Sequence, residues 1–145
     1  MDISAIKEMA SKDSKIDFSA IDSESMKIPQ LHNKYVNLLH DARIYLRKKT
    51  TEYKRMYRLK WEYYHGKLDE DTLKEHGWEP FTLSVLKKDT HIYLDSDEDL
   101  SKLQDTMHGT ESAILFLEET IKELNNRGWK LRNAIEWRKF LQGEN

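Results

Sequence analysis

The chain has 145 residues, of which 34% are charged and 38% hydrophobic, and its formal net charge is −2. This length suits one domain, residues 1–145, and the lean apolar content is typical of long helices that bury little alone, so we expect an oligomer. The absence of cysteine excludes a disulfide framework, thiolate catalysis and a zinc ribbon. No apolar run approaches the ~18 residues of a membrane span and no signal-peptide core is visible, which predicts a soluble, cytosolic protein.

The N-terminal segment 1–27 is predicted to form a short amphipathic helix followed by a linker rich in Ser and Asp. Ile28 and Pro29 then predict the start of a long helix, because proline is tolerated in the first helical turn and not further inside. No glycine or proline follows until Gly66. The long helix is therefore predicted over residues 28–66.

This helix carries eight basic residues and a single acid between positions 43 and 60. At 3.6 residues per turn most of the cations fall on one side and most tyrosines on the other, with Trp61 among the cations. Since Lys and Arg neutralise phosphates and an exposed ring can stack on a base, this side predicts a single-stranded nucleic-acid site. The candidate contacts are Arg47, Lys54, Arg55, Arg58, Lys60 and Trp61, of which Lys60 points towards the apolar side.

Other interpretations of the basic face stay open at this stage. A helix rich in Lys and Arg is often simply solvated. The chain could instead be a helical oligomeric scaffold or adaptor whose basic helix binds an acidic protein, for example its own segment 89–105 in another subunit. Binding to an anionic membrane surface is disfavoured, because the heptad helix described next offers the apolar face a protein partner.

The second half of the chain predicts a small β-hairpin and two further helices. Residues 81–86 and 90–94 are rich in β-branched and aromatic side chains around a Lys-Lys-Asp turn, which predicts a hairpin over 81–95. An apolar heptad then predicts a coiled-coil-like helix over 97–127, closed by Gly128. The heptad positions are Leu100, Leu103, Met107, Thr110, Ile114, Leu117, Ile121 and Leu124.

A final helix is predicted over residues 129–141. It carries more apolar surface than a terminal helix of this length usually exposes, so we expect it to dock, and to dock on another subunit. The candidate oligomerisation residues are Trp129, Leu131, Ile135, Phe140 and Leu141.

No catalytic constellation is visible in the sequence. The P-loop, dinucleotide-binding, nucleophile-elbow and zinc-protease motifs are all absent, and the six histidines are widely spaced. We therefore predict no catalytic residue, no metal and no cofactor, and an enzyme is the least favoured interpretation.

Three segments, Arg58 to Gly66, Val85 to Asp95 and Arg127 to Gly143, together resemble the UvsY family of recombination mediators from T-even-type phages. The first is RLKWEYYHG, Arg58 to Gly66, which is similar to a basic–apolar–basic–acidic–Tyr-Tyr stretch of that family. The second, from Val85 to Asp95, looks like its hairpin region. The third, RGWKLRNAI from Arg127, continuing to Gly143, is similar to its C-terminal helix.

The resemblance implies a mainly α fold assembled as a ring-like homo-oligomer, a hexamer or heptamer, with no enzymatic activity. It implies binding to single-stranded DNA, to a phage RecA-like recombinase and to the phage single-strand binding protein, in the cytoplasm of the infected bacterial host. It also ties Arg58 and Lys60 to DNA binding and the helix 129–141 to self-association. In that motif Trp61 is a departure from the family pattern.

Overall fold

The computed structural model describes residues 2–143, and Met1 and residues 144–145 of the predicted domain lie outside the described part. Within that part the regular structure is helical, without a strand. The predicted mainly α fold is confirmed, and the hairpin is not found. The helices are α1 Ile3–Asp13, α2 Ile21–Tyr64, α3 Glu70–His76, α4 Thr90–Asp95 and α5 Glu98–Leu141, with short 3₁₀ turns at Phe18–Ala20 and Lys87–Asp89.

The chain divides into two compact units, to which α2 and α5 both contribute. We call Met1–Tyr45 with Gly109–Asn145 the terminal unit, and Leu46–His108 the central unit. The candidate DNA contacts all belong to the central unit, whereas the candidate oligomerisation residues all belong to the terminal unit.

The terminal unit is built around one apolar cluster from three helices. Because the side chains of an amphipathic helix bury one stripe, α1, α2 and α5 each contribute one face to it. Two polar contacts add to the packing: Arg127 donates a 3.0 Å hydrogen bond to the backbone carbonyl of Asp13, and Arg138 donates one to the carbonyl of Phe18. The buried cluster consists of Ile6, Tyr35, Leu39, Ala42, Ala113, Leu117 and Leu124.

Helix α2 begins at Ile21, seven residues before the predicted start. Pro29 therefore lies inside the helix, where it removes one backbone hydrogen bond at a cost of about 3 kcal/mol. The turns before it hold because Ile21 and Glu24 are buried in the terminal unit, and Glu24 pairs with Lys27 at 2.9 Å. Tertiary burial thus outweighs the proline signal, and part of the predicted linker is helical.

Helix α5 also departs from the prediction, because it runs without a break through Gly128. Glycine weakens a helix interior by roughly 0.5–1 kcal/mol but does not end it by itself. Leu124 and Leu131 lie seven residues apart on the same helix face, and both are buried. Their burial offsets the glycine penalty, so the predicted helices 97–127 and 129–141 are one.

The predicted hairpin 81–95 is wrong. Residues 81–86 are irregular, and 87–95 form a 3₁₀ turn followed by α4. The aromatic and β-branched composition serves packing instead: Phe81 and Tyr93 join Tyr64 in a cluster with ring centroids 5.0–5.6 Å apart. β-Propensity largely measures such packing, and an isolated hairpin is marginal in water.

Candidate nucleic-acid interface

The candidate interface occupies the part of α2 that lies in the central unit. This stretch lacks glycine and proline, and its long basic side chains favour a helix. Arg47, Lys54 and Arg58 recur at spacings of seven and four residues, so they share one helix face. Lys48 and Arg55 lie beside that face, one residue further on.

Four of these cations are exposed and have no acidic partner. Among residues 2–143, Arg47, Lys48, Lys54 and Arg55 make no ion pair or hydrogen bond through their side chains. Other cations of the same helix are neutralised, as in the pairing of Arg43 with Glu118 at 3.0 Å in the terminal unit. The four unpaired cations leave a concentrated positive charge on a chain whose net charge is −2.

Arg58 is also exposed, with 84% of its side chain accessible, and its Nε lies 3.2 Å from Glu62 Oε1. An exposed ion pair of this kind contributes only about 0–1 kcal/mol. A phosphate can therefore compete with Glu62 for the guanidinium, and Arg58 keeps its predicted place on the interface.

Lys60 does not share the exposed face of these cations. Only 5% of the residue is exposed, and its Nζ is 3.1 Å from Asp97 Oδ2 and 2.8 Å from Asp99 Oδ2. The ammonium also lies 3.9 Å from the ring centroid of Trp78. The sequence analysis placed Lys60 on the apolar side of the helix, and this side is buried. The charge of Lys60 therefore faces the interior of the central unit.

The carboxylate of Asp97 joins two residues of α2 to the start of α5. The Tyr64 hydroxyl donates a 2.6 Å hydrogen bond to Asp97 Oδ2, and the backbone N–H of Leu100 donates a 3.0 Å bond to Oδ1. Burial acts to raise the pKa of Asp97, but these bonds and Lys60 outweigh it and hold the pKa below its ordinary value. Burial and the bond to Asp97 raise the pKa of Tyr64. Asp97 therefore stays ionised at neutral pH.

Trp61 is half-buried and already has two partners. Its ring lies 4.2 Å from the His65 ring, tilted by 33°, and Lys67 Nζ lies 4.7 Å from the ring centroid. A base that stacks on Trp61 has to share or displace these neighbours.

Tyr57 offers an exposed aromatic surface that the sequence analysis missed. The helical wheel placed it among the apolar tyrosines, yet 42% of the residue is exposed. Lys54 and Trp61, three residues before and four residues after it, are its neighbours on the helix surface. Its ring contact is with Tyr53, at 6.0 Å and 45°. The signal available in the sequence was its position at the edge of the apolar arc, beside the cations.

The candidate oligomerisation residues split into two groups in the terminal unit. Trp129, Phe140 and Leu141 are exposed, as the prediction requires. Leu131 is buried and Ile135 is half-buried within the chain itself, so neither side chain lies fully on the surface of the subunit. The difference follows from the helix geometry, since residues 129 and 131 are about 200° apart around α5.

Among residues 2–143 no group of His, Cys, Asp or Glu side chains could hold a metal ion. No helix in the described chain combines the length and the hydropathy that a membrane span needs.

Comparison with solved structures defines the class of fold. Three crystal structures of the bacteriophage T4 recombination mediator protein UvsY superpose with TM-scores of 0.82, 0.82 and 0.80, at 19%, 18% and 19% sequence identity. The matches cover 98%, 97% and 94% of this chain and 98%, 99% and 98% of the T4 chains. The chain therefore has the helical fold of the T4 UvsY protein.

The sequence comparison identifies the family. The model of the family "Recombination, repair and ssDNA binding protein UvsY" matches residues 9–144, so the chain belongs to the UvsY family and the resemblance noted in the sequence is confirmed. A search of curated protein sequences finds no match. Recombination, repair and binding of single-stranded DNA are accordingly the general function of the family to which this chain belongs.

Proposed function

We propose that the protein binds single-stranded DNA along the central-unit stretch of α2. The observation that carries this proposal is the set of unpaired, exposed cations Arg47, Lys48, Lys54 and Arg55. Each can neutralise a phosphate and release a condensed counterion. Arg58 adds a fifth cation whose exposed pair with Glu62 is weak enough to exchange.

Two aromatic residues can add base stacking to these phosphate contacts. Tyr57 is the more exposed of the two, and Trp61 is partly covered by His65. Stacking of one base on an aromatic side chain is worth about 1–3 kcal/mol and tolerates any sequence. The proposed surface thus binds a single strand without reading its sequence.

The protein would act as a homo-oligomer, a hexamer or heptamer. The exposed aromatic residues of the C-terminal part of α5 support self-association, because soluble monomers rarely expose large contiguous apolar patches. Repeating the cationic stretch in every subunit would raise the overall affinity through avidity, even where each contact is weak.

As a mediator, the oligomer would help a phage RecA-like recombinase to load onto a strand covered by the phage single-strand binding protein, in the cytoplasm of the infected bacterial host. Membership of a family of recombination and single-stranded-DNA-binding proteins supports this role. The competing function is a scaffold whose cations bind an acidic protein. The acids at 97 and 99 are already paired with Lys60 of their own chain, which leaves fewer acids in segment 89–105 for a neighbouring subunit.

The test is a titration of a labelled dT oligonucleotide with the protein at several salt concentrations. Fluorescence anisotropy measures the binding, and duplex DNA of the same length is titrated for comparison. We expect tight binding that prefers the single strand and weakens with salt. The salt slope is the magnitude of the slope of log Kobs against the logarithm of the salt concentration. A Lys54→Ala, Arg55→Ala double variant should lower it by about 0.7 per lost phosphate contact in each subunit that holds the strand.

Lys15→Ala is the matched control, because Lys15 is exposed and lies in the terminal unit. It should leave the affinity and the slope unchanged. Absence of binding by the wild-type protein at low salt would reject the proposed function and leave the scaffold interpretation.

A further inference from the structure

We infer that Lys60 is a positioning residue of the DNA-binding surface and not a phosphate contact. This inference rests on the proposed function and assigns a role to a cation that stands between Arg58 and Trp61 but faces the opposite way. Its side chain is 6% exposed, against 84% for Arg58.

The ammonium of Lys60 is fully occupied within the central unit. It pairs with Asp97 at 3.1 Å and with Asp99 at 2.8 Å. Two aromatic rings complete its surroundings, Trp78 at 3.9 Å and Tyr63 at 5.5 Å from Nζ to the ring centroids. To reach a phosphate, Lys60 would have to break two ion pairs and leave a carboxylate that is 3% exposed without its partner, which is strongly unfavourable.

The same contacts fix the rotation of α2. Lys60 and Tyr64 lie one helical turn apart, on one face, and both bind Asp97 Oδ2. Asp97 in turn accepts a hydrogen bond from the Leu100 N–H in the first turn of α5. Two points of attachment one turn apart prevent α2 from turning about its axis there. The opposite face, which includes Arg58, is thereby held outward.

The two possible roles of Lys60 predict different effects on DNA binding when Asp97 or Asp99 is neutralised. If Lys60 contacts DNA, Asp99→Asn and Asp97→Asn both free its ammonium and remove a negative charge, so each should strengthen binding to a dT oligonucleotide. If Lys60 positions the helix, neither variant should strengthen binding, and Asp97→Asn should weaken it because Tyr64 and Leu100 lose a charged acceptor as well. Glu98→Gln, which changes an exposed acid next to both, measures the effect of net charge alone.

The affinity of each variant is read by anisotropy relative to Glu98→Gln. Equal or weaker binding supports the inference, and binding about threefold or more tighter in Asp97→Asn or Asp99→Asn overturns it. Asp99→Asn keeps the Asp97 network intact and is the variant expected to fold normally, which circular dichroism checks.

The salt dependence of Lys60→Met provides a second, independent readout. A lost phosphate contact lowers the slope by about 0.7 in each subunit that holds the strand, whereas a lost positioning contact lowers the affinity and leaves the slope as in the wild type. Arg58→Ala is the reference for a true contact. A slope reduced in Lys60→Met as much as in Arg58→Ala overturns the inference, while failure of the wild type to bind DNA would reject the proposed function instead.

Discussion

The hydroxyl of Tyr35 donates a 2.7 Å hydrogen bond to Asp13 Oδ2, 22 residues earlier in the chain. Lys34 binds the same oxygen at 2.6 Å, so two neighbouring residues of α2 hold the last residue of α1. Tyr35 is fully buried in the apolar cluster, and its hydroxyl links that cluster to the polar end of α1.

Tyr35→Phe should therefore destabilise the protein, although the packing of the aromatic ring is retained. The ring still fills its place, but the bond to a charged acceptor is lost, and we expect a loss of about 1–2 kcal/mol in the free energy of unfolding because Lys34 keeps Asp13 paired. Urea denaturation measures the change. Tyr57→Phe is the control, since the Tyr57 hydroxyl has no hydrogen bond within the described chain; an equal effect of both variants would contradict the assignment.

Stability should fall in acid. The pKa values of Asp13 and Asp97 lie below the ordinary 3.8, because hydrogen bonds from Tyr35 and Lys34 to Asp13, and from Tyr64 to Asp97, outweigh the effect of burial, which acts to raise them. The folded carboxylates thus bind protons more weakly than the unfolded ones. Their stabilisation is present above about pH 4 and is lost as the pH falls through the lower folded-state pKa.

The midpoint of urea unfolding between pH 7 and pH 3 measures this dependence. Asp97→Asn removes one of the two titrating groups, so its midpoint should change less over the acidic part of the range. Parallel curves for the variant and the wild type would show that Asp97 does not carry the effect.

Gly128→Ala should stabilise the protein. Gly128 lies inside α5, and a methyl group added there meets no atom within 4 Å, so alanine gains helix propensity of about 0.5–1 kcal/mol without a clash. Gly77→Ala is the contrasting variant, because Gly77 ends α3 with φ of 67°, where a Cβ is strained. The unfolding temperature should rise in the first variant and fall in the second; a fall in both would mean that α5 does break at Gly128.

Tyr57→Leu should reduce the contribution of the bases to DNA binding. If Tyr57 stacks on a base, the variant loses about 1–3 kcal/mol of affinity for a dT oligonucleotide but binds an abasic strand of the same length as well as the wild type does. Tyr57→Phe, which keeps the ring, should behave as the wild type. Equal losses on the two strands would show that Tyr57 acts through the fold of the helix.

Substitutions of Trp129 and Leu131 should affect self-association and folding separately. Trp129 is 64% exposed and Leu131 is 1% exposed. Leu131→Ala should cost about 2–5 kcal/mol of stability, as expected for a cavity in the core. Trp129→Ala should leave the stability of the subunit nearly unchanged and shift sedimentation towards smaller species. An oligomer unaffected by Trp129→Ala, and also by Phe140→Ala, would place the subunit contact elsewhere.

The sequence by itself determined the helical class, the cationic stretch of α2 and the family. These follow from local properties: a 3.6-residue period, a one-sided run of Lys and Arg, and motifs of adjacent residues such as Arg58 to Gly66. The apolar heptad of α5 is also a local pattern in the sequence. All eight of its residues are buried or half-buried.

Tertiary structure alone decided where helices begin and end, and which cations face solvent. Pro29 and Gly128 are local signals for a helix boundary, and in both places the burial of neighbouring side chains such as Ile21 and Leu131 outweighs them. Segment 81–95 is helical or irregular because its aromatic side chains pack against α2. Lys60 is buried because Asp97 and Asp99 lie at the start of another helix, and no pattern within α2 reports where those acids stand.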